Sequence, residues 1–324
     1  MKIVITGGCG YIGSHIARAF KQQDKNNLVY VIDRERRDHT LKGVDGFLHA
    51  DFASKQSLMW LTELEPVVVV HCAGDVLVGE SVVDPAKYYD NNIAKTITLL
   101  SHLKNFKKIP LILFSSSASV YGNPEVVPVT ESAPVQPISP YGVSKAIIER
   151  TLADYNHAYN MPSVCFRYFN ACGAEPVHHD LGQAPGASHI IARVLEAKLA
   201  NKSFTLNGND YATSDRTCIR DYIHVWDLAD AHLRATEWTL GNDNKTSTVM
   251  NLGTKLGISN HEIIDYVLLN YGLIDVEVGP RRPGDPDCLV ADAELAYQIL
   301  QWKPNYSTIN QIIDSAWKWY TRDV

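Results

Sequence analysis

Positive charge is not in excess in this chain: 30 Lys and Arg stand against 36 Asp and Glu, a formal net charge of −6. A general nucleic-acid binder is usually basic, so that class is set aside, although a few placed Arg side chains are enough to hold an anionic small molecule. CxxC pairs are absent too. The six cysteines, Cys9, Cys72, Cys165, Cys172, Cys218 and Cys288, are scattered, which argues against a zinc site. They sit mostly among apolar residues or glycines, as small buried thiols do, and a reducing compartment fits them. No apolar run approaches the roughly 20 residues that span a bilayer. Ile3-Val4-Ile5 is too short a core for a signal peptide. Repeats and low-complexity segments are missing as well. These absences lead to the expectation of a cytoplasmic protein that holds no metal and binds neither membrane nor nucleic acid.

What the chain does have is 324 residues, 45% of them hydrophobic, enough for a large core. Short apolar runs at Lys2–Thr6, Leu28–Ile32, Pro66–His71, Leu111–Ser115 and Ser163–Tyr168 read as strands. Helical patterns lie between them, at Tyr11–Gln22 and Tyr88–Leu103 for example. Alternation of this kind predicts βαβ crossovers, hence an α/β fold with a parallel sheet covered on both faces. The unbroken apolar run PVVVV agrees with burial on both sides. After about Asn170 the alternation stops, and Gly, His, Pro and Asp interrupt the chain. Residues 1–170 are therefore expected to form one domain. Residues 171–324 are expected to form a smaller, irregular α/β domain on the substrate side of a cleft, with 219–240 returning to the first.

The first strand runs into Gly7-Gly8-Cys9-Gly10-Tyr11-Ile12-Gly13. Glycines here permit a tight turn and close backbone approach to a pyrophosphate, and the free N–H groups that open the next helix favour its charge. By itself the spacing is a weak signal. It follows a predicted strand and opens a helix, and Asp33 ends the second strand 20 residues beyond Gly13, where an acid receives the ribose hydroxyls of NAD. That context predicts a doubly wound, Rossmann-type sheet and NAD rather than NADP. Arg34 points the other way, since an arginine near this place can accept a 2′-phosphate.

A second signal is Tyr141-Gly142-Val143-Ser144-Lys145. Residues four apart share a helix face, and a cation beside a phenol lowers its pKa from about 10 toward neutral. Tyr141 then becomes a general base for a hydroxyl proton. Such a pair is common by chance. It gains weight from the serines Ser115 and Ser117 at the carboxyl end of a central strand, where α/β sheets bind ligands, and from the glycine fingerprint in the same chain.

The order of these motifs resembles the extended short-chain dehydrogenase/reductase family, in its UDP-sugar 4-epimerase branch. The resemblance runs nearly end to end through GGCGYIGSH (7–15), HCAGDVLVGESV (71–82), YYDNN (88–92), SSSASVYG (115–122), SPYGVSK (139–145), RYFNACGA (167–174), GNDY (208–211), IRDYIHVWDLADAH (219–232), RRPGDP (281–286) and LQWKP (300–304). It implies NAD-dependent 4-epimerisation of a UDP-hexose by a homodimer that pairs through the helices around 88–103 and 141–159. It also implies residue roles. Tyr141 would be the base, Lys145 would hold the nicotinamide ribose, and Ser117 would bond the sugar 4-oxygen. Gly7, Gly10, Tyr11, Ile12, Gly13, Asp33, Asp51, Ala73, Gly74, Asn92, Ser115 and Tyr168 would hold NAD, with Asp51 at the adenine. Asn170, His189, Arg220, Arg282 and Asp285 would contact UDP. Two alternatives stay open: His189 as a structural histidine, and Arg281, Arg282 and Asp285 as a surface ion-pair cluster.

Departures from the family pattern bear on these roles. Relatives carry an aromatic or Lys where this chain has Cys72 and Val76. Dehydratase relatives carry Asp-Glu after the catalytic hydroxyl residue, where Ala118-Ser119 stand here, which disfavours elimination. Leu289, beside Cys288, occupies the place that flanks the sugar 2-substituent. It leaves hexose and N-acetylhexosamine both open.

Overall fold

In Lys2–Thr6 (β1), Ile3 and Ile5 point into one apolar layer and Val4 into the other, so both faces of the strand are buried. The pattern repeats in Val68–His71 (β4) and Leu111–Ser117 (β5), and it is what a parallel strand between two helical layers requires. The computed structural model describes residues 1–242, 246–281 and 285–322. Its central sheet has seven strands in the order β10-β6-β5-β4-β1-β2-β3, with every pairing parallel. The remaining members are Leu28–Asp33 (β2), Gly46–His49 (β3), Ser163–Tyr168 (β6) and Ser247–Leu252 (β10). One layer against it is built by Tyr11–Gln23 (α1), Val225–Gly241 (α8) and Glu294–Leu300 (α10), with Phe20 and Trp302 at its centre. The other is built by Lys55–Leu64 (α2), Lys95–Leu103 (α5) and Pro140–Tyr159 (α6) around Leu61, Leu100 and Leu152.

Strand order reverses between β1 and β4, so a crevice opens at their carboxyl ends, where doubly wound sheets bind ligands. The five strands read from the sequence all belong to this sheet; β3 and β10 join them. The segment around Tyr88–Leu103 is broken where a continuous helix was expected. A short helix Pro85–Tyr88 (α4), which follows Val78–Val83 (α3), leads into a π-helical stretch at Tyr89–Ala94, and only then does α5 begin. A π segment rotates the residues it contains relative to the helix that follows, and here both Asn91 and Asn92 end up buried.

β6 passes through Phe169 directly into Asn170–Cys172 (β7), the first strand of a second sheet. That sheet centres on Ile219–His224 (β9), which pairs with β7, Gly257–Ser259 (β11) and Cys288–Leu289 (β13). Phe204–Asn207 (β8) and Val276–Gly279 (β12) form a separate parallel pair. Ile190–Leu199 (α7), Asn260–Tyr271 (α9) and Ile309–Thr321 (α11) close a second apolar cluster around Leu195, Tyr222, Ile263 and Ile312. β9 thus builds the second sheet, whereas α8 and β10, which follow it, pack on and extend the first. Among the described residues no helix is long and apolar enough to cross a membrane.

Candidate active site

A cleft of about 740 Å³ lies at the crevice between β1 and β4 and along the seam between the sheets. One wall is the glycine turn. Gly7 has φ +73, and a Cβ there would sit 2.7 Å from the Ala73 nitrogen; a Cβ on Gly13 would sit 2.4 Å from the Gly7 carbonyl oxygen. No other residue fits either place. The following α1 starts at Gly10 with no side-chain cap and no acid in its first turn. Its opening N–H groups are therefore available to an anion. Tyr11 and Ile12 line the cleft beside them, and the Tyr11 hydroxyl donates to the Gly173 carbonyl across the seam at 2.7 Å.

Asp33 lines the same cleft. Its two carboxylate oxygens accept from the N–H groups of Cys9 at 2.9 Å and Glu35 at 3.0 Å, which fixes the carboxylate beside the glycine turn. Cleft size, glycine cradle, uncapped helix and fixed acid together fit a dinucleotide diphosphate with a free ribose diol.

The catalytic candidates stand at the other end. Ser139 caps α6 by accepting from the Gly142 N–H at 3.1 Å, and Pro140 occupies the first turn. The two define where the helix starts and put Tyr141 at its mouth. Tyr141 and Ser117 both line the cleft, as does Tyr168. Lys145 is buried one turn further on. It donates to the Ser115 carbonyl at 2.8 Å, with its ammonium 5.0 Å from the Phe114 ring centre and 5.8 Å from that of Tyr141.

The expected lowering of the Tyr141 pKa by this cation is not found. Burial pushes the phenol above 10, while the Ser117 hydroxyl pulls it down. The same burial brings Lys145 down to about 8, with Cys72 and Glu149 opposing the fall. Desolvation is the largest cause of both shifts, because both groups lie away from solvent. The site is thus a dry pocket in which neither charge is favoured by the protein alone.

Behind it, Tyr168 meets Ser115 at 3.0 Å and His232 at 2.9 Å, and Ser115 meets Cys72 Sγ at 3.1 Å. Asn92 works from the side. Its amide clamps the Asp75 N–H at 2.8 Å and the Asp75 carbonyl at 2.9 Å, and donates to Ser144 of α6 at 3.1 Å. It thereby ties the loop of Ala73 and Gly74 to α6. A Cβ on Gly74 would meet Asn92 Oδ1 at 2.9 Å.

A profile of the NAD dependent epimerase/dehydratase family matches residues 3–253. The chain belongs to this family. A UDP-glucose 4-epimerase of Halalkalibacterium halodurans is 39% identical over 99% of this chain and 96% of its own length. Among solved structures, UDP-glucose 4-epimerase from Brucella ovis in complex with NAD superposes with TM-score 0.91 at 37% identity, covering 98% of this chain and 97% of that one. The Bifidobacterium longum enzyme in complex with NAD+ and UDP gives 0.89 at 33% identity, covering 99% and 98%.

The remaining candidates of this epimerase/dehydratase lie in several places. Asn170 and His189 line the cleft with Tyr141; burial lowers the His189 pKa to about 4, so it is a neutral imidazole there. Arg220 and Asp285 lie in a separate cluster on the second sheet, paired at 2.6 Å, with Tyr211 donating to Asp285 at 2.9 Å. In the same cluster Arg281 stacks on Tyr211 and pairs with Asp287. Arg282 lies outside the described residues. The Asp51 carboxylate accepts from Lys95 at 3.0 Å and from the Ala53 N–H at 2.9 Å, while its neighbours Ala50 and Phe52 line the cleft. The sequence reading passed over Asp75, Asn91 and Glu149. Glu149 holds Ser116 and, through a buried ion pair, Arg167. Nothing in their local sequence marks them, because the contacts that define their roles, Asn91 with Asp75 and Glu149 with Ser116 and Arg167, join residues 16 or more apart.

Proposed function

We propose that the chain is an NAD-dependent 4-epimerase of UDP-hexoses, interconverting UDP-glucose and UDP-galactose. One adjacency supports this most: Ser117 and Tyr141 open onto the same cleft as the glycine cradle and Asp33. NAD+ held by that cradle would accept the C4 hydride and return it as NADH, and its positive ring would favour phenolate. The chain's own residues do the rest. Ser117 bonds the sugar 4-oxygen, Tyr141 takes its proton, and Lys145 provides a cation within the same dry pocket. When hydride returns to the other face of the 4-keto sugar, Tyr141 gives the proton back. Asn170, His189, Arg220, Arg282 and Asp285 would grip UDP, so the sugar itself can turn while its diphosphate stays fixed. Residues 1–170 with α8 and β10 would serve the cofactor, and the rest the substrate. Exposed Val83, Ile97 and Ile147 on the α3, α5 and α6 surface fit a homodimer, and six free thiols fit a cytoplasmic protein.

The test is incubation with UDP-galactose and UDP-N-acetylgalactosamine separately, with products resolved by chromatography. UDP-glucose should form from the first; no product from either would end the epimerase reading. Leu289 sits opposite Arg220 in the second sheet and packs against the apolar cluster that contains Tyr121 and Phe169. In the family pattern Leu289 flanks the sugar 2-substituent, where a ring would fill space that an N-acetyl group needs. Leu289→Tyr is expected to depress turnover of the N-acetyl sugar at least about tenfold relative to the hexose. An unchanged ratio of the two rates would remove Leu289 from the sugar pocket.

A further inference from the structure

We infer that Asp75 is a cofactor-specificity residue, which draws Arg34 away from the ribose edge of the cleft and so helps to exclude a dinucleotide bearing a 2′-phosphate. The inference rests on the dinucleotide reading of the cleft and adds a residue and a direction to it.

Arg34 follows Asp33 directly, at the place where an arginine can receive a 2′-phosphate. It lines the cleft, and its side chain is 52% exposed. Its partner is Asp75, at 3.8 Å from guanidinium nitrogen to Oδ1. Asp75 comes from the other side of the glycine turn. Arg34 follows β2 and Asp75 follows β4, with β1 between them. The pair therefore reaches over the crevice rather than along one edge of it.

Asp75 is the fixed member. Its side chain is 14% exposed, its Oδ2 accepts from Asn91 at 2.5 Å, and Asn92 holds both its backbone N–H and its carbonyl. Arg34 is the member able to move, and the fixed carboxylate decides where it goes. The other cations nearby are already matched. Arg37 pairs with Glu35, and Lys87, also 3.8 Å from Asp75, has a closer partner in Glu80 at 2.8 Å. The ribose edge thus keeps the Asp33 carboxylate while the Arg34 guanidinium is drawn toward Asp75, a balance that suits a neutral hydroxyl and penalises a phosphate dianion.

Asp75→Asn removes the charge and keeps the shape, since an amide oxygen still accepts from Asn91 and the Asn92 clamp uses only backbone. The purified variant, equilibrated with equimolar NAD+ and NADP+, is freed of unbound nucleotide. The bound dinucleotide is then released by acid and resolved by chromatography. The ratio of bound NADP+ to NAD+ should rise roughly two- to fivefold over the parent protein, the range a partly exposed charge pair allows. Adding Arg34→Ala should cancel the rise. A ratio unmoved by Asp75→Asn, or a rise that persists without Arg34, overturns the role of Asp75. Failure of the parent protein to retain any dinucleotide would instead overturn the reading of the cleft on which the inference stands.

Discussion

Tyr141→Phe should lose about two to four orders of magnitude in turnover, the usual worth of a positioned general base, while the protein still folds and still binds NAD. The ring itself stays useful after the change, because it packs edge-on against Tyr88 with centres 6.5 Å apart, and phenylalanine keeps that contact. The variant removes one oxygen, the one to which the proposed reaction assigns the proton. A pH series sharpens the test. Burial holds the phenol above 10, so at neutral pH the deprotonated fraction set by the protein's own groups is small and grows as pH rises. Turnover of the parent enzyme through Tyr141 should therefore climb toward alkaline pH, and the residual rate of the variant should not. Near-parental epimerisation by Tyr141→Phe, or an unaltered rising limb, would assign the proton to another group.

The grouping of Tyr141, Lys145 and the two serines at one end of the cleft was legible in the sequence because its parts are local. Tyr141 and Lys145 share a helix turn, Ser115 and Ser117 share a strand end, and Gly7 to Gly13 is one continuous turn. The five central strands were legible for a similar reason, since each is an unbroken β-branched run buried on both faces. Gly46–His49 was not, because it is a short edge strand only partly buried; nor was Ser247–Leu252, which rejoins the sheet beside β6 after 78 intervening residues. The π-helical stretch left no trace in the apolar spacing of 88–103. Yet it aims Asn91 and Asn92 at Asp75 rather than along the helix surface. The electrostatic balance was misread for a different reason. Spacing brings Lys145 near Tyr141, but only the fold says how dry the pocket is, and dryness raises the phenol and lowers the amine.

Lys145→Met should make the protein more stable and nearly inactive at once. In the fold the ammonium is held at about 8, against about 10.4 when exposed. Between those values the unfolded chain binds the proton that the folded one has lost, so stability rises with pH across that window. Below about pH 8 the fold carries the full cost of burying a charge, of order 3 kcal/mol. Methionine removes that cost with a side chain of similar length. It also gives up the bond to the Ser115 carbonyl, which returns about 1.5–3 kcal/mol. The net at pH 7 is a gain of about 1 kcal/mol, and a melting temperature higher by one or two degrees. The gain should vanish as the pH approaches 10, because the parent protein then folds with a neutral amine. Turnover should fall at least about a hundredfold, since the pocket has lost its only cation near the phenol among the described residues. Thermal melts of both proteins from pH 6 to 10, set beside their rates, check the two halves together. A variant that melts lower than the parent at pH 7 would mean that Lys145 holds the fold together, rather than being carried by it for the sake of the chemistry.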